Sequence, residues 1–149
     1  MGNISLYTGE EIYRPFWEKD SAFLETTLGC SWHKCAFCDF SNDKFSTFSL
    51  GDIEKKAAIL AQYSASKTSV FLLGENPFVI DTPKLLSIFD IVHSNMPWME
   101  GISMYARFDD ILRKDLQQLK VLMRRGLTHL YIGLESGCNE VLRLMNKGI

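Results

Sequence analysis

Thr68-Ser69-Val70-Phe71-Leu72-Leu73-Gly74 is a mostly apolar run of strand length closed by a glycine. A strand wetted on one face alternates apolar and polar residues, whereas Val70 to Leu73 are apolar without a break. The run therefore reads as a strand covered on both faces, the habit of a parallel sheet.

The neighbouring segments repeat one pairing. Upstream, Ser49 offers an N-cap with Asp52 three positions later, ahead of Ile53, Ala57, Leu60 and Ala61 at helical spacing, which predicts a helix to about Ala65. Downstream, Asp81-Thr82-Pro83 opens a second helix with Pro83 in its first turn and Leu85, Leu86, Phe89 and Val92 on its inner face, and Pro97 stops it. Gly101 to Ala106 reads as a strand, and a helix opening near Asp110 runs through Leu112, Leu116, Leu119 and Leu122 to a stop at Gly126. Leu127 to Leu134 is a further strand, and Asn139 to Lys147 begins a further helix. Ahead of all these, Ala22 to Leu28 is apolar and β-branched and is closed by Gly29, which makes it the first strand.

The order is thus β-α four times over, which implies an α/β fold with right-handed crossovers. We expect a partial TIM-type (β/α) barrel of about four βα units on a parallel sheet. Residues 1–20 carry Tyr7, Tyr13, Phe16 and Trp17 around Pro15 with no clean period and read as an irregular lead-in, and residues 21–149 as the core. Four units are half of an eight-unit barrel, so the chain is expected to be a fragment, or an unusually short member, of a larger barrel.

Of the 149 residues, 46% are hydrophobic and 23% charged, enough apolar chain for one packed domain and too much for a disordered one. Sixteen basic against eighteen acidic residues give a net charge of -2 with no basic stripe, so nucleic acid is not implied as a partner. The apolar stretches are too short to span a bilayer, and Met1-Gly2-Asn3-Ile4 lacks the regions of a signal peptide. The expectation is a cytoplasmic protein with no membrane partner. Gly2 with Ser5 misses the myristoylation pattern by one position.

Three of the four cysteines, Cys30, Cys35 and Cys38, fall within nine positions directly after the first strand. In a reducing compartment such a loop favours metal over disulfide. Thiolates separated by two or more residues suit the iron corners of a 4Fe-4S cluster, and three ligands leave one iron open. The competing reading is a zinc site with His33 as fourth ligand, although zinc sites usually draw two short pairs from separate places and no second pair exists here. Cys138 reads as a small buried or turn residue.

The run Thr27-Leu28-Gly29-Cys30-Ser31-Trp32-His33-Lys34-Cys35-Ala36-Phe37-Cys38 resembles the cysteine loop of the radical S-adenosylmethionine (radical SAM) superfamily, with one residue more in the first gap than the usual three. Leu73-Gly74-Glu75-Asn76 resembles the segment that holds the methionine amino group of S-adenosylmethionine. Tyr105-Ala106-Arg107-Phe108-Asp109, and Ile132-Gly133-Leu134-Glu135-Ser136-Gly137 leading into Met145-Asn146-Lys147-Gly148, resemble the branch that includes methylthiotransferases and elongator-like proteins.

The resemblance implies a 4Fe-4S cluster on Cys30, Cys35 and Cys38, and S-adenosyl-L-methionine chelating the fourth iron. It places Phe37 against the adenine side, Gly74, Glu75 and Asn76 at the methionine amino group, Arg107 at a carboxylate, and Glu135 and Ser136 at the ribose or methionine part. It further implies an external electron donor of flavodoxin or ferredoxin type, cleavage of the cofactor to a 5'-deoxyadenosyl radical, and hydrogen abstraction from a substrate that the residues do not identify. Blander readings stand beside these: Glu75 as a solvated turn carboxylate, Arg107 paired with Asp109 or Asp110 on the surface, and Trp17, Trp32 and Trp98 as packing residues. For the whole chain the alternatives are a cluster-binding fragment without turnover and a zinc-binding module.

Overall fold

The run at Ser69–Leu73 lies between two parallel neighbours, with Val70 opposite Ala22 on one side and Ile102 on the other. In the computed structural model, which describes residues 5–9, 12–38 and 43–149, Val70, Phe71 and Leu72 are fully buried although they point alternately to opposite faces. Gly2, with its near-miss acylation pattern, lies outside the described residues.

The chain runs through β1 (Ala22–Glu25), β2 (Thr27–Leu28), β3 (Ser46–Thr47), α1 (Leu50–Ala61), β4 (Ser69–Leu73), α2 (Thr82–Asn95), β5 (Gly101–Ala106), α3 (Phe108–Leu112), α4 (Leu116–Arg124), β6 (Leu127–Ile132) and α5 (Asn139–Leu144). β1, β4, β5 and β6 form one sheet in that order, and every pair in it is parallel. Strands in sequential order, each separated from the next by helix, give a four-strand parallel sheet of α/β type, as in part of a TIM-type barrel.

The core lies between the sheet and the helices. Ala22, Leu24, Val70, Leu72, Ile102 and Met104 pack against Ile53 and Ala57 of α1 and Leu85, Ile88, Phe89 and Val92 of α2. On the opposite face Phe71, Tyr105 and Tyr131 form an aromatic cluster, with the Phe71 and Tyr105 rings edge to face at 5.4 Å. A 3-10 turn at Phe16–Asp20 brings Glu18 under this cluster, where it accepts from Tyr131 Oη at 2.6 Å and from the Ser21 hydroxyl. Burial alone would push the Glu18 carboxyl up, but the hydroxyls of Ser21, Tyr131 and Ser103 outweigh it and hold the group below its ordinary range. The Tyr131 phenol is pushed up to about 12, first by burial and then by its bond to Glu18.

Two expected elements are broken, one by bonds to a neighbouring strand and one by a helix cap. The strand expected over Ala22 to Leu28 leaves the sheet at Thr26, whose backbone N–H and hydroxyl both donate to the Leu73 carbonyl, at 3.1 and 3.0 Å. Thr27 and Leu28 then turn away and pair antiparallel with Ser46 and Thr47, a strand that the sequence reading missed. Gly74 permits the departure: its φ of +138° is open to glycine, and a Cβ there would overlap Thr27 Oγ1.

The helix expected from Asp110 to Gly126 is two helices. Asp115 accepts from the Gln118 backbone N–H at 2.8 Å while the Gln118 side chain accepts from the Asp115 N–H at 2.9 Å, a capping box that starts α4 afresh. As a result Leu112 and Leu116, two of the leucines through which one helix was expected to run, are 83% and 62% exposed, and of the four only Leu122 is fully buried. Asp115→Ala is expected to lower stability by about 1 kcal/mol, read as a lower urea midpoint with unchanged slope. The last two expected elements end early, β6 at Ile132 and α5 at Leu144.

Candidate functional site

Because β1, β4, β5 and β6 are parallel, all their C-terminal ends lie on one edge of the sheet; the expected site residues follow β4, β5 and β6, and the cysteine loop follows β1 by way of the short β2. The cysteine loop leaves β2 at Gly29, Gly74 to Asn76 follow β4, Arg107 follows β5, and Glu135 and Ser136 lie beyond β6. Apolar parallel strands with polar residues just past their ends are the usual layout of a site on such a sheet.

The loop from Cys30 to Cys38 is held at several points. On one side Asn76, fully buried after β4, donates from Nδ2 to Ser31 Oγ at 2.8 Å and to Asp110 Oδ2 at 2.6 Å. Asp110 also pairs with Arg113, so the start of α3 and the end of β4 are tied together beneath the loop. On the other side, the Ala36 N–H donates to the Met145 carbonyl at 2.8 Å and Trp32 Nε1 to the Asn146 carbonyl at 2.7 Å. His33, at φ 48°, is exposed.

Arg107 is 7% exposed, which corrects its reading as a surface pair. Its Nε bonds Asp109 at 2.9 Å, its Nη2 donates to the Lys147 carbonyl at 2.9 Å, and its guanidinium lies 5.2 Å from the Trp32 ring centre. Asp110, the other partner considered for it, is occupied by Asn76 and Arg113. Lys147 pairs with Glu135 at 2.9 Å and stands 5.9 Å over the ring of Phe37, which is 49% exposed. Glu135 adopts φ 58°, and Ser136 accepts from the Cys138 N–H at 3.0 Å in a local turn. Glu75 is half-buried directly after β4.

All four cysteines are free thiols; Cys30 and Cys35 are half-buried, Cys38 and Cys138 exposed. Burial pushes the Cys35 thiol up, the positive charges of Lys147 and Arg107 pull it down, and Cys30 and Cys38 push it up again, with a net rise. The three thiols of the loop thus share one electrostatic neighbourhood with two cations. Among the described residues no three His, Cys, Asp or Glu side chains are drawn into metal-ligating geometry. By chemistry the donor set still fits an iron-sulfur cluster: three soft sulfur donors, and two cations to offset thiolate charge. Cys138 lies apart at the N-terminus of α5, where the Val141 and Glu140 N–H groups hold its thiol below the ordinary value.

The sequence reading undervalued Trp32, taken for packing, and did not single out Ser31, Asp110 or Lys147 as partners of the loop. Lys147 was in view within Met145-Asn146-Lys147-Gly148, but its pairing with Glu135 crosses a turn and a helix that spacing does not resolve. Among the described residues no helix is long and apolar enough to cross a membrane.

No curated protein matches the chain. The sequence pattern of the family described as Radical SAM superfamily matches residues 24–149, from within β1 to the last residue. With the cysteine loop and all three strand-end segments inside that match, the chain belongs to the radical SAM superfamily.

Proposed function

We propose that the chain is the core of a radical S-adenosylmethionine enzyme, with a 4Fe-4S cluster on Cys30, Cys35 and Cys38 and S-adenosyl-L-methionine beside it. The supporting observation is the meeting of a three-thiol loop with Asn76, Arg107 and Lys147 on the C-terminal edge of a parallel sheet. When bound, the cluster and S-adenosyl-L-methionine supply one-electron reductive cleavage of a carbon-sulfur bond, giving a 5'-deoxyadenosyl radical that takes hydrogen from a substrate.

This chain's residues orient the parts. Asn76 Oδ1 is buried without a hydrogen-bond partner, an acceptor that suits the methionine amino group, with the backbone of Gly74 and Glu75 beside it. Phe37 has an exposed ring that would suit the adenine side, and Glu135 and Ser136 would serve the ribose or methionine part. Arg107 and Lys147 keep positive charge beside the thiolates and the cofactor carboxylate. An external donor of flavodoxin or ferredoxin type supplies the electron. The segments after β5 and β6 favour the branch that includes methylthiotransferases and elongator-like proteins, in the cytoplasm.

The test is anaerobic reconstitution followed by reduction with dithionite in the presence of S-adenosyl-L-methionine. The expected result is iron with acid-labile sulfide in the protein and 5'-deoxyadenosine in solution. Iron and sulfide without 5'-deoxyadenosine would leave a cluster-binding protein without turnover, and zinc in place of both would overturn the cluster itself.

A further inference from the structure

The turn that follows α5 presents three successive carbonyls to the site. Met145 O accepts from the Ala36 N–H at 2.8 Å, Asn146 O from Trp32 Nε1 at 2.7 Å, and Lys147 O from Arg107 Nη2 at 2.9 Å. Two of the three donors belong to the cysteine loop and the third to Arg107 after β5, so one turn joins the loop to the end of a strand. Here Asn146 at φ 52° and Gly148 at φ 73° are both left-handed and bend the chain around the loop. At Gly148 the lack of a side chain is also used sterically, because a Cβ there would overlap the six-membered ring of Trp32. The other sides of that indole meet cations, the Arg107 guanidinium at 5.2 Å and Lys34 Nζ at 5.0 Å from the ring centre.

We propose that Trp32 and the Met145–Gly148 turn form a buckle that fixes the path of the cysteine loop between Cys30 and Cys35, so that Trp32 and Gly148 are positioning residues for the cluster thiols. Trp32 lies inside the four-residue gap between Cys30 and Cys35, whose free conformations the anchor restricts. The indole N–H and the Ala36 N–H anchor both halves of the loop to one rigid turn. The anchor is 114 residues away in sequence, so the thiols take their places only when the fourth βα unit has folded. The proposal rests on the cluster reading for its purpose but not for its test, since the first measurement is made on free thiols before any cluster is loaded.

The experiment follows the alkylation rate of each cysteine in the full chain, free of metal, by peptide mass spectrometry. Trp32→Phe keeps an aromatic ring and removes the donor. Gly148→Ala keeps the donor and displaces the ring. Loss of one hydrogen bond of ordinary strength opens the loop about fivefold more often. Both variants are therefore expected to raise Cys35 alkylation about fivefold, with the rate at exposed Cys138 unchanged, while Trp32→Phe lowers the urea midpoint by no more than one hydrogen bond accounts for. The reduced, cluster-loaded Trp32→Phe protein is expected to give an altered electron paramagnetic resonance line shape. An unchanged Cys35 rate in both variants would overturn the buckle. A midpoint fall in Trp32→Phe several times larger than one hydrogen bond accounts for would overturn it too, since it marks general loosening. Faster Cys35 with an unchanged line shape would confine the turn to a folding role and refute its part at the cluster.

Discussion

Cys35→Ala is expected to bring bound iron after anaerobic reconstitution from about four per chain to less than one, and to reduce 5'-deoxyadenosine formation to background. Cys35 is the middle thiol of the loop, the one whose charge is felt by Cys30, Cys38, Arg107 and Lys147 together. Two remaining thiolates from one loop cannot hold a cube that three hold. Among the described residues, His33 is exposed and the Glu135 carboxylate is engaged by Lys147, so neither stands ready to replace the lost sulfur. The matched control is Cys138→Ala, expected to leave iron, sulfide and turnover unchanged, because Cys138 is exposed at the start of α5 and outside the loop. Iron analysis and chromatography of the nucleoside product check both. Equal losses from Cys35→Ala and Cys138→Ala would mean that a different set of thiols holds the metal.

Much of the fold was legible because it rests on patterns confined to one segment. β5 was bounded to the residue, and β4 to within one, because their apolar runs are buried on both faces and closed by a change of composition. α1 and α2 were legible from their caps, Ser49 accepting from the Asp52 N–H at 3.1 Å and Asp81 from the Lys84 N–H at 2.8 Å. The break at Thr26 was not, because a threonine hydroxyl that reaches the Leu73 carbonyl 47 residues on has no local signature. The break before Leu116 is present in the sequence as Asp115-x-x-Gln118, a cap that interrupts a leucine spacing which by itself implies one helix. In the site, the residue types at the strand ends were legible one segment at a time. The bonds that join the segments, Trp32 to Asn146 and Asn76 to Ser31, depend on the registers of separate strands and become visible only when the sheet is assembled.

Lys56→Met is expected to be the most destabilising of the single substitutions considered, by about 3–5 kcal/mol, because it strands a buried carboxylate. Lys56 on α1 forms an ion pair with Glu25 at the end of β1, and the two side chains are 5% and 8% exposed. The Lys56 ammonium also stands 3.9 Å over the Phe48 ring, so its desolvation is offset on two sides. Glu25 takes two further bonds from the lead-in segment, from the Thr8 N–H at 3.1 Å and the Thr8 hydroxyl at 2.9 Å. One carboxylate thereby ties the lead-in, the first strand and the first helix. Methionine keeps the length and apolar stem of lysine, so the loss reports the unpaired charge rather than a cavity. With a urea slope near 2 kcal/mol per M, the midpoint falls by roughly 2 M. The double variant Glu25→Gln/Lys56→Met is expected to regain most of that loss, since a neutral amide oxygen still accepts from Thr8 and no charge is stranded. A single-variant loss below about 1 kcal/mol, the range of a solvated pair, would refute the burial argument. The consequence reaches the site, because Glu25 immediately precedes Thr26, whose two bonds to the Leu73 carbonyl set the departure of the cysteine loop from the sheet. Lys56→Met is therefore expected also to retain less iron on reconstitution at a given denaturant concentration, and the double variant to recover retention and stability together.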